Sequence, residues 1–514
     1  MLMQSHYIFL LPLLSQKYNN KLKKNNILTP QLILISFLTY TLLLFMITWF
    51  TSRKAGNDAF YRGNKSSHWF VIAYGMIGAS LSGVTFMSVP GWVKDTQFTY
   101  LMVVFGYFFG YLIIANVLMP MYYRLNLTSI YTYLEKRFGF WSYKTGAFFF
   151  ILSRVIGASF RMFLVVNVLQ VFIFDAWNIP FGFTVSMFIL LIILYTLKGG
   201  IKTIIWTDTL QTTFMLGALV LTIVIILNQL NISFGEMFSN IINSEYSNVI
   251  NTDWSSKRHF FKQFLSGMFI TIVMTGLDQE MMQKNLSCRN LKDAKKNMFT
   301  FSVILVFVNF LFLFLGAILL IYSNSKGITM PERTDDLFSI ISINYLGPIA
   351  GLVFVIGLIS AAYPSADGAL TSLTTSFCID FLGLEKNNKL TENQKIKVRY
   401  YVHLGFALLL LLVIVVFRAI NDRAVIDKLF TVAGYTYGPL LGLYSFGLFT
   451  KLGIKDRFVP IIAILSPVIC YIISENSMQW FGISIGFELL IYNGIITFIG
   501  LLIFSKKKNE LVNI

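Results

Sequence analysis

Residues 347–382 are long and apolar enough to cross a bilayer, yet they contain Ser360, Pro364, Ser365, Asp367, Gly368 and Thr371. At hydrocarbon depth each polar group costs free energy unless it faces other helices, water or an ion. Pro364 has no N–H and frees the carbonyl of Ser360, four residues back, while Ala361, Pro364, Ser365 and Gly368 share one helical stripe. A free carbonyl beside a hydroxyl is a hard-oxygen site suited to a small alkali cation; the alternative is a tight helix contact through small residues. A second stretch carries Gly75, Gly78, Ala79, Ser80, Ser82, Gly83, Thr85 and Ser88 before Pro90-Gly91, and argues for an unwound helix whose carbonyls face a cavity, the alternative again being a small-residue packing face. Asp208 opens the apolar segment 204–228, as an intramembrane carboxylate or as a helix cap. Asp278, in Gly276-Leu277-Asp278-Gln279-Glu280 near the cytoplasmic end of segment 262–283, reads as a solvated cap. Arg154 and Arg161 lie seven residues apart on one face of segment 145–174, where guanidinium groups need anionic partners, whether neighbouring aspartates, carbonyls, headgroups or a bound carboxylate.

The elements that must hold these residues are set by composition. The chain of 514 residues is 56% hydrophobic and 13% charged, which places it in the polytopic membrane class. About thirteen stretches approach the length of a transmembrane helix: 32–50, 70–92, 98–121, 145–174, 181–197, 204–228, 262–283, 297–322, 347–382, 400–418, 426–450, 458–474 and 484–505. They leave no room for a soluble domain, and the longest gap, 229–261, reads as a polar loop. Cys288, Cys378 and Cys470 have no metal-ligand spacing and read as unpaired, and the four histidines form no cluster. No phosphate loop, nucleophile elbow or metal motif follows a plausible strand, so enzymatic chemistry is not indicated.

The net charge of +17 is spread over alternate loops instead of one aromatic-laced patch, which excludes nucleic acid as partner. Lys and Arg concentrate at 53–68, 123–144, 198–203, 284–296, 385–400, 451–457 and 506–508, which makes those loops cytoplasmic. An odd number of crossings of the inner membrane then leaves the N-terminus outside and the C-terminus in the cytoplasm. Segment 1–31 carries Lys17, Lys21, Lys23 and Lys24 on the outer side and lacks the features of a signal peptide, so it is unassigned; a misplaced start codon is one explanation.

Four stretches together resemble the sodium:solute symporter family. Ala79-Ser80-Leu81-Ser82-Gly83-Val84-Thr85-Phe86-Met87-Ser88-Val89-Pro90-Gly91 looks like its broken first core helix, and Tyr133-Leu134-Glu135-Lys136-Arg137-Phe138 resembles a cytoplasmic loop signature. Gly199-Gly200 followed by Trp206-Thr207-Asp208 and Gln211 resembles a third motif, and 357–380 the sodium-site helix. The resemblance spans roughly residues 50–505. It implies an all-α fold with a leucine-transporter-like core of five plus five inverted helices, 70–228 and 262–450, an anchor helix 32–50 and two further helices in 458–505.

The resemblance further implies a sodium site of carbonyls from Gly78, Leu81 and Ala361 and the hydroxyl of Ser365; Pro364 replaces the family's other hydroxyl ligand. Asp208 and Asp367 would flank a second cation or line its release route. Ser80, Ser82 and Thr85 match hydroxyl positions around the carboxylate of sialic-acid carriers, whose arginine aligns with Gly157, midway between Arg154 and Arg161. Asp278 aligns with a polar substrate-contacting position of the sugar carriers, whereas Phe108 stands where they have an acidic residue. The expectation is therefore a Na+-coupled symporter importing a small organic solute across the lipid bilayer by alternating access, with a carboxylate such as a sialic acid favoured. The alternatives are a neutral sugar, polyol or amino acid as solute, a channel, or a membrane sensor domain of the same fold.

Overall fold

The computed structural model describes residues 29–52, 56–420 and 425–507. Most of segment 1–31, Arg53-Lys54 and Lys508 lie outside the described residues. The chain is built almost wholly of helices: α1 (Pro30–Ser52), α2 (Trp69–Thr96), α3 (Tyr100–Arg124), α4 (Phe140–Trp177), α5 (Phe181–Leu197), α6 (Gly199–Leu230), α7 (Phe260–Gly276), α8 (Gln279–Leu286), α9 (Leu291–Lys326), α10 (Pro348–Phe381), α11 (Glu392–Arg418), α12 (Val425–Phe449), α13 (Asp456–Phe481) and α14 (Leu489–Ile503). Among the described residues nine helices are long and apolar enough to cross a membrane, or ten if α7 and α8, bent by 65° at their junction, form one span. The protein is a multi-pass membrane protein.

Burial follows from the mismatch between lipid and the polar stripes. The outer helix α13 exposes Ile461, Ile464, Leu465, Val468 and Ile472, a surface that only hydrocarbon rewards. In contrast α2 and α10, with their serines, threonines and glycines, are enclosed: every residue from Leu358 to Ser376 is buried. Helix α10 starts at Pro348, whose missing N–H costs nothing in the first turn, and packs against α2, α4 and α6.

Two breaks shape the core. Ser82 sits inside α2 at φ 54 and ψ 175, a region nearly reserved for glycine, and its hydroxyl accepts the N–H of Val84. Between α5 and α6, Gly200 adopts φ 50; a Cβ there would stand 2.5 Å from the ring of Phe60, so the bend also makes the notch that seats the short helix Asn57–Arg62. The expected polar loop 229–261 contains a helix, Phe234–Ile242. It is capped by Ser233, whose hydroxyl accepts the Glu236 N–H, while the Glu236 carboxylate accepts the Ser233 N–H and is thereby held below its ordinary range.

Candidate solute and cation site

The break in α2 opens onto a cavity of about 80 Å³. Ser80, Ser82 and Thr85 line one wall and Arg154 and Arg161 of α4 another. Tyr100, Tyr107 and Tyr111 of α3, Thr271 and Thr275 of α7 and Asn309 of α9 complete a polar lining set among apolar residues, the usual make-up of a small-molecule pocket. Gly157 keeps the space between the two arginines open: the nearest atom to an added Cβ is Leu429 Cδ1 at 3.7 Å. Phe108 is not among the lining residues; it packs on Phe109 and Phe299, while its neighbour Tyr107 faces the cavity.

The two arginines differ in what they touch. Arg154 pairs with Glu280 of α8 and lies 3.7 Å from Asp278 Oδ2. Arg161 is 9% exposed and, among the described residues, makes no ion pair; its Nε has no hydrogen-bond partner. Asp278 does not line the cavity. Its Oδ1 accepts the N–H groups of Glu280 and Met281, capping α8, and its Oδ2 accepts the Tyr437 hydroxyl at 2.6 Å. The structure thus gives Asp278 a cap buried in protein instead of the solvated cap or cavity-facing contact expected from its sequence.

Gly78 and Leu81 of α2 and Ala361 and Ser365 of α10 are all buried, and the two helices pack against each other. Gly78 permits close approach of α6: its N–H donates to Thr212 Oγ1, and a Cβ would stand 2.5 Å from that oxygen. The Ser365 hydroxyl is fully buried and has no hydrogen-bond partner, a condition that a bound cation would relieve. On α10 Pro364 is accommodated within a continuous helix, while the Ser360 hydroxyl is taken by the Ile356 carbonyl.

Asp208 belongs to a buried chain of charges, while Asp367 of α10 is held by a tyrosine. Lys284 Nζ lies 2.7 Å from Asp208 Oδ2 and 3.7 Å from Glu280 Oε1, and Glu280 in turn reaches Arg154. Tyr195 donates to Asp367 Oδ2 at 2.8 Å. The cation beside Asp208 is thus the ammonium of Lys284. Sequence reasoning had counted Lys284 as a cytoplasmic loop charge; at 1% side-chain exposure it is in the core, drawn there by carboxylates that need a partner. Glu280 and Lys284, four residues apart on one helix face, were the available signal. Tyr100, Tyr107 and Tyr111, at helical spacing, and Asn309 within an apolar helix were also missed.

A multi-pass bundle whose core holds a broken helix, a pair of helices bent by 65° and a cavity with polar lining fits the architecture of a solute carrier. Residues 60–452 match the sodium:solute symporter family, and the chain belongs to that family. It is similar to the sodium/sialic acid symporter NanT of Aliivibrio fischeri (strain ATCC 700601 / ES114), 25% identical over 78% of this chain and 79% of that protein. The sodium/sialic acid symporter SiaT of Proteus mirabilis (strain HI4320) is 24% identical over 78% of this chain and 81% of its own length. A solved outward-open, substrate-bound Na+-coupled sialic acid symporter shares the fold with a TM-score of 0.78 at 20% identity, covering 93% of this chain and 99% of its own. The protein is a membrane transporter, not an enzyme, and sodium is its coupling ion.

Proposed function

We propose that this protein uses the sodium gradient to import a small organic carboxylate by alternating access. The observation that carries the reading is Arg161: a guanidinium in the cavity wall without an ion pair among the described residues, beside the hydroxyl-bearing Ser80, Ser82 and Thr85. An uncompensated buried cation is costly, and a planar fork of donors suits a carboxylate. The likeness to two sialic acid symporters supports a solute of that class.

In this reading sodium is held by the carbonyls of Gly78, Leu81 and Ala361 and the hydroxyl of Ser365. Asp208 and Asp367 serve its release route toward the cytoplasm. Arg154, fixed by Glu280 and Asp278, shapes the solute pocket and contributes positive potential to it. Coupling needs sodium to favour the state that also binds solute, a differential of typically about 1–3 kcal/mol, and the broken α2 meets both the cavity and α10.

The five-plus-five inverted core, 70–228 and 262–450, with 32–50 before it and 458–505 after it, accounts for the two interrupted helices lying at corresponding places. The nine spans, the bent pair, the two shorter apolar helices α5 and α14, and α12 together supply thirteen crossings. The charge asymmetry of the loops supports an N-terminus outside and a C-terminus in the cytoplasm. A thermal-shift screen tests the solute class: N-acetylneuraminate and lactate against glucose and proline, each in sodium chloride and in choline chloride. Stabilisation by a carboxylate that requires sodium is expected; equal stabilisation by glucose contradicts the reading.

A further inference from the structure

Resting on the sodium-symport reading, we infer that the ammonium of Lys284 is a built-in cation that fills the space a second sodium ion would take beside Asp208 and Glu280. The carrier then binds a single sodium ion per molecule. Three elements converge there. Lys284 and Glu280 come from α8, Asp208 from α6 and Gly368 from α10. Lys284 Nζ lies 2.7 Å from Asp208 and 3.7 Å from Glu280. The Glu280 carboxylate in turn packs against Gly368, the residue after Asp367, where any Cβ would collide with it. Asp208 Cβ lies 3.0 Å from where a Gly75 Cβ would stand, so the same cluster touches the broken helix α2.

The donor set explains why this place demands a cation and why it does not need a free one. Lys284, Glu280, Asp208 and Asp367 are all buried, and Asp208 Oδ1 and Asp367 Oδ1 have no hydrogen-bond partner. Carboxylates packed so closely repel one another unless positive charge lies between them. Glu280 already shares its charge with Arg154 and Asp367 accepts the Tyr195 hydroxyl, which leaves Asp208 as the group in need. Lys284 supplies that charge through its own chain and is never released. A sodium ion binding Asp208 would have to displace the ammonium or sit against a like charge at contact distance. Because the neutralising charge is tethered to the chain, Asp208 adds no sodium to the count.

Binding of isotopic sodium to the purified full-length protein tests the proposal without knowledge of the solute. The expected result is one equivalent for the wild type and two for Lys284→Met, the second lost again in Lys284→Met/Asp208→Asn. Two equivalents in the wild type, one of them lost in Asp208→Asn, overturn the proposal, as does a single equivalent in Lys284→Met. If Lys284→Met does not fold, the wild type and Asp208→Asn decide: one equivalent in both upholds it, two and one overturn it. Absence of bound sodium from every protein overturns the symport reading itself, an outcome distinct from any of these.

Discussion

Replacing Arg161 by lysine keeps the charge in the cavity and removes the planar pair of donors. If the solute carboxylate is held by two parallel N–H bonds, the ammonium retains one of them. A hydrogen bond to a charged group contributes about 1.5–3 kcal/mol, and each 1.4 kcal/mol is tenfold in affinity, so the half-saturating solute concentration should rise roughly 10- to 100-fold. Folding should survive, because Arg161 makes no ion pair among the described residues and the change strands no carboxylate. Arg154→Met is the contrast: it leaves Asp278 and Glu280 buried without their guanidinium, and removing one partner of a buried pair costs about 3–5 kcal/mol. The assay is sodium-driven uptake of the stabilising carboxylate into proteoliposomes, paired with the melting temperature of each variant in detergent. Arg161→Lys should lose affinity with little change in melting, and Arg154→Met should lose melting temperature first. Wild-type half-saturation in Arg161→Lys would refute the assignment of Arg161 to the solute.

Four further outcomes follow from other parts of the structure. Ser365→Ala removes a buried hydroxyl assigned to sodium and should raise the half-activating sodium concentration about tenfold, taking about 1.4 kcal/mol for one ligand; unchanged sodium activation of uptake counts against it. Gly78→Val drives a Cβ to within 2.5 Å of Thr212 Oγ1 and should cost about 1–3 kcal/mol and most of the transport rate, checked by melting and by initial uptake. Asp208→Asn and Asp367→Asn should each slow uptake under a sodium gradient; wild-type rates in both would make them structural groups only. The Glu236 carboxyl is held low by the Ser233 N–H, so its contribution to the cap is present above the ordinary Glu value and lost as pH falls through the lowered one. The protection of amides 234–242, taken relative to their intrinsic exchange rates, should therefore fall on acidification, and Glu236→Gln should abolish that dependence.

How much of this was legible in the sequence differs by residue. The polar stripes of α2 and α10 announce themselves because lipid does not tolerate serine, threonine and glycine at such density without an internal partner, and the break at Ser82 falls inside the stretch so marked. The pairing of Arg154 was half visible: the chain showed that it needed an anion but not which one, since Glu280 is 126 positions away and its approach depends on how α8 turns after the 65° bend. Lys284 was misread because its neighbours in sequence are basic loop residues, while its neighbours in space are Asp208 and Glu280. The helix Phe234–Ile242 escaped notice because its support is local, a Ser233–Glu236 capping box within an Asn- and Ser-rich segment that hydropathy scores as loop. Periodicity reports which face of a helix is buried; it does not report which distant charge meets it.

The central claim is that sodium drives the uptake of an organic carboxylate. Proteoliposomes containing the purified protein, given radiolabelled N-acetylneuraminate or lactate under an inward sodium gradient, test it most directly. The account predicts saturable accumulation of at least one of these above the external concentration, abolished when choline replaces sodium or when a sodium ionophore collapses the gradient. Accumulation that is equal in choline, or sodium-driven uptake confined to uncharged solutes, would contradict it.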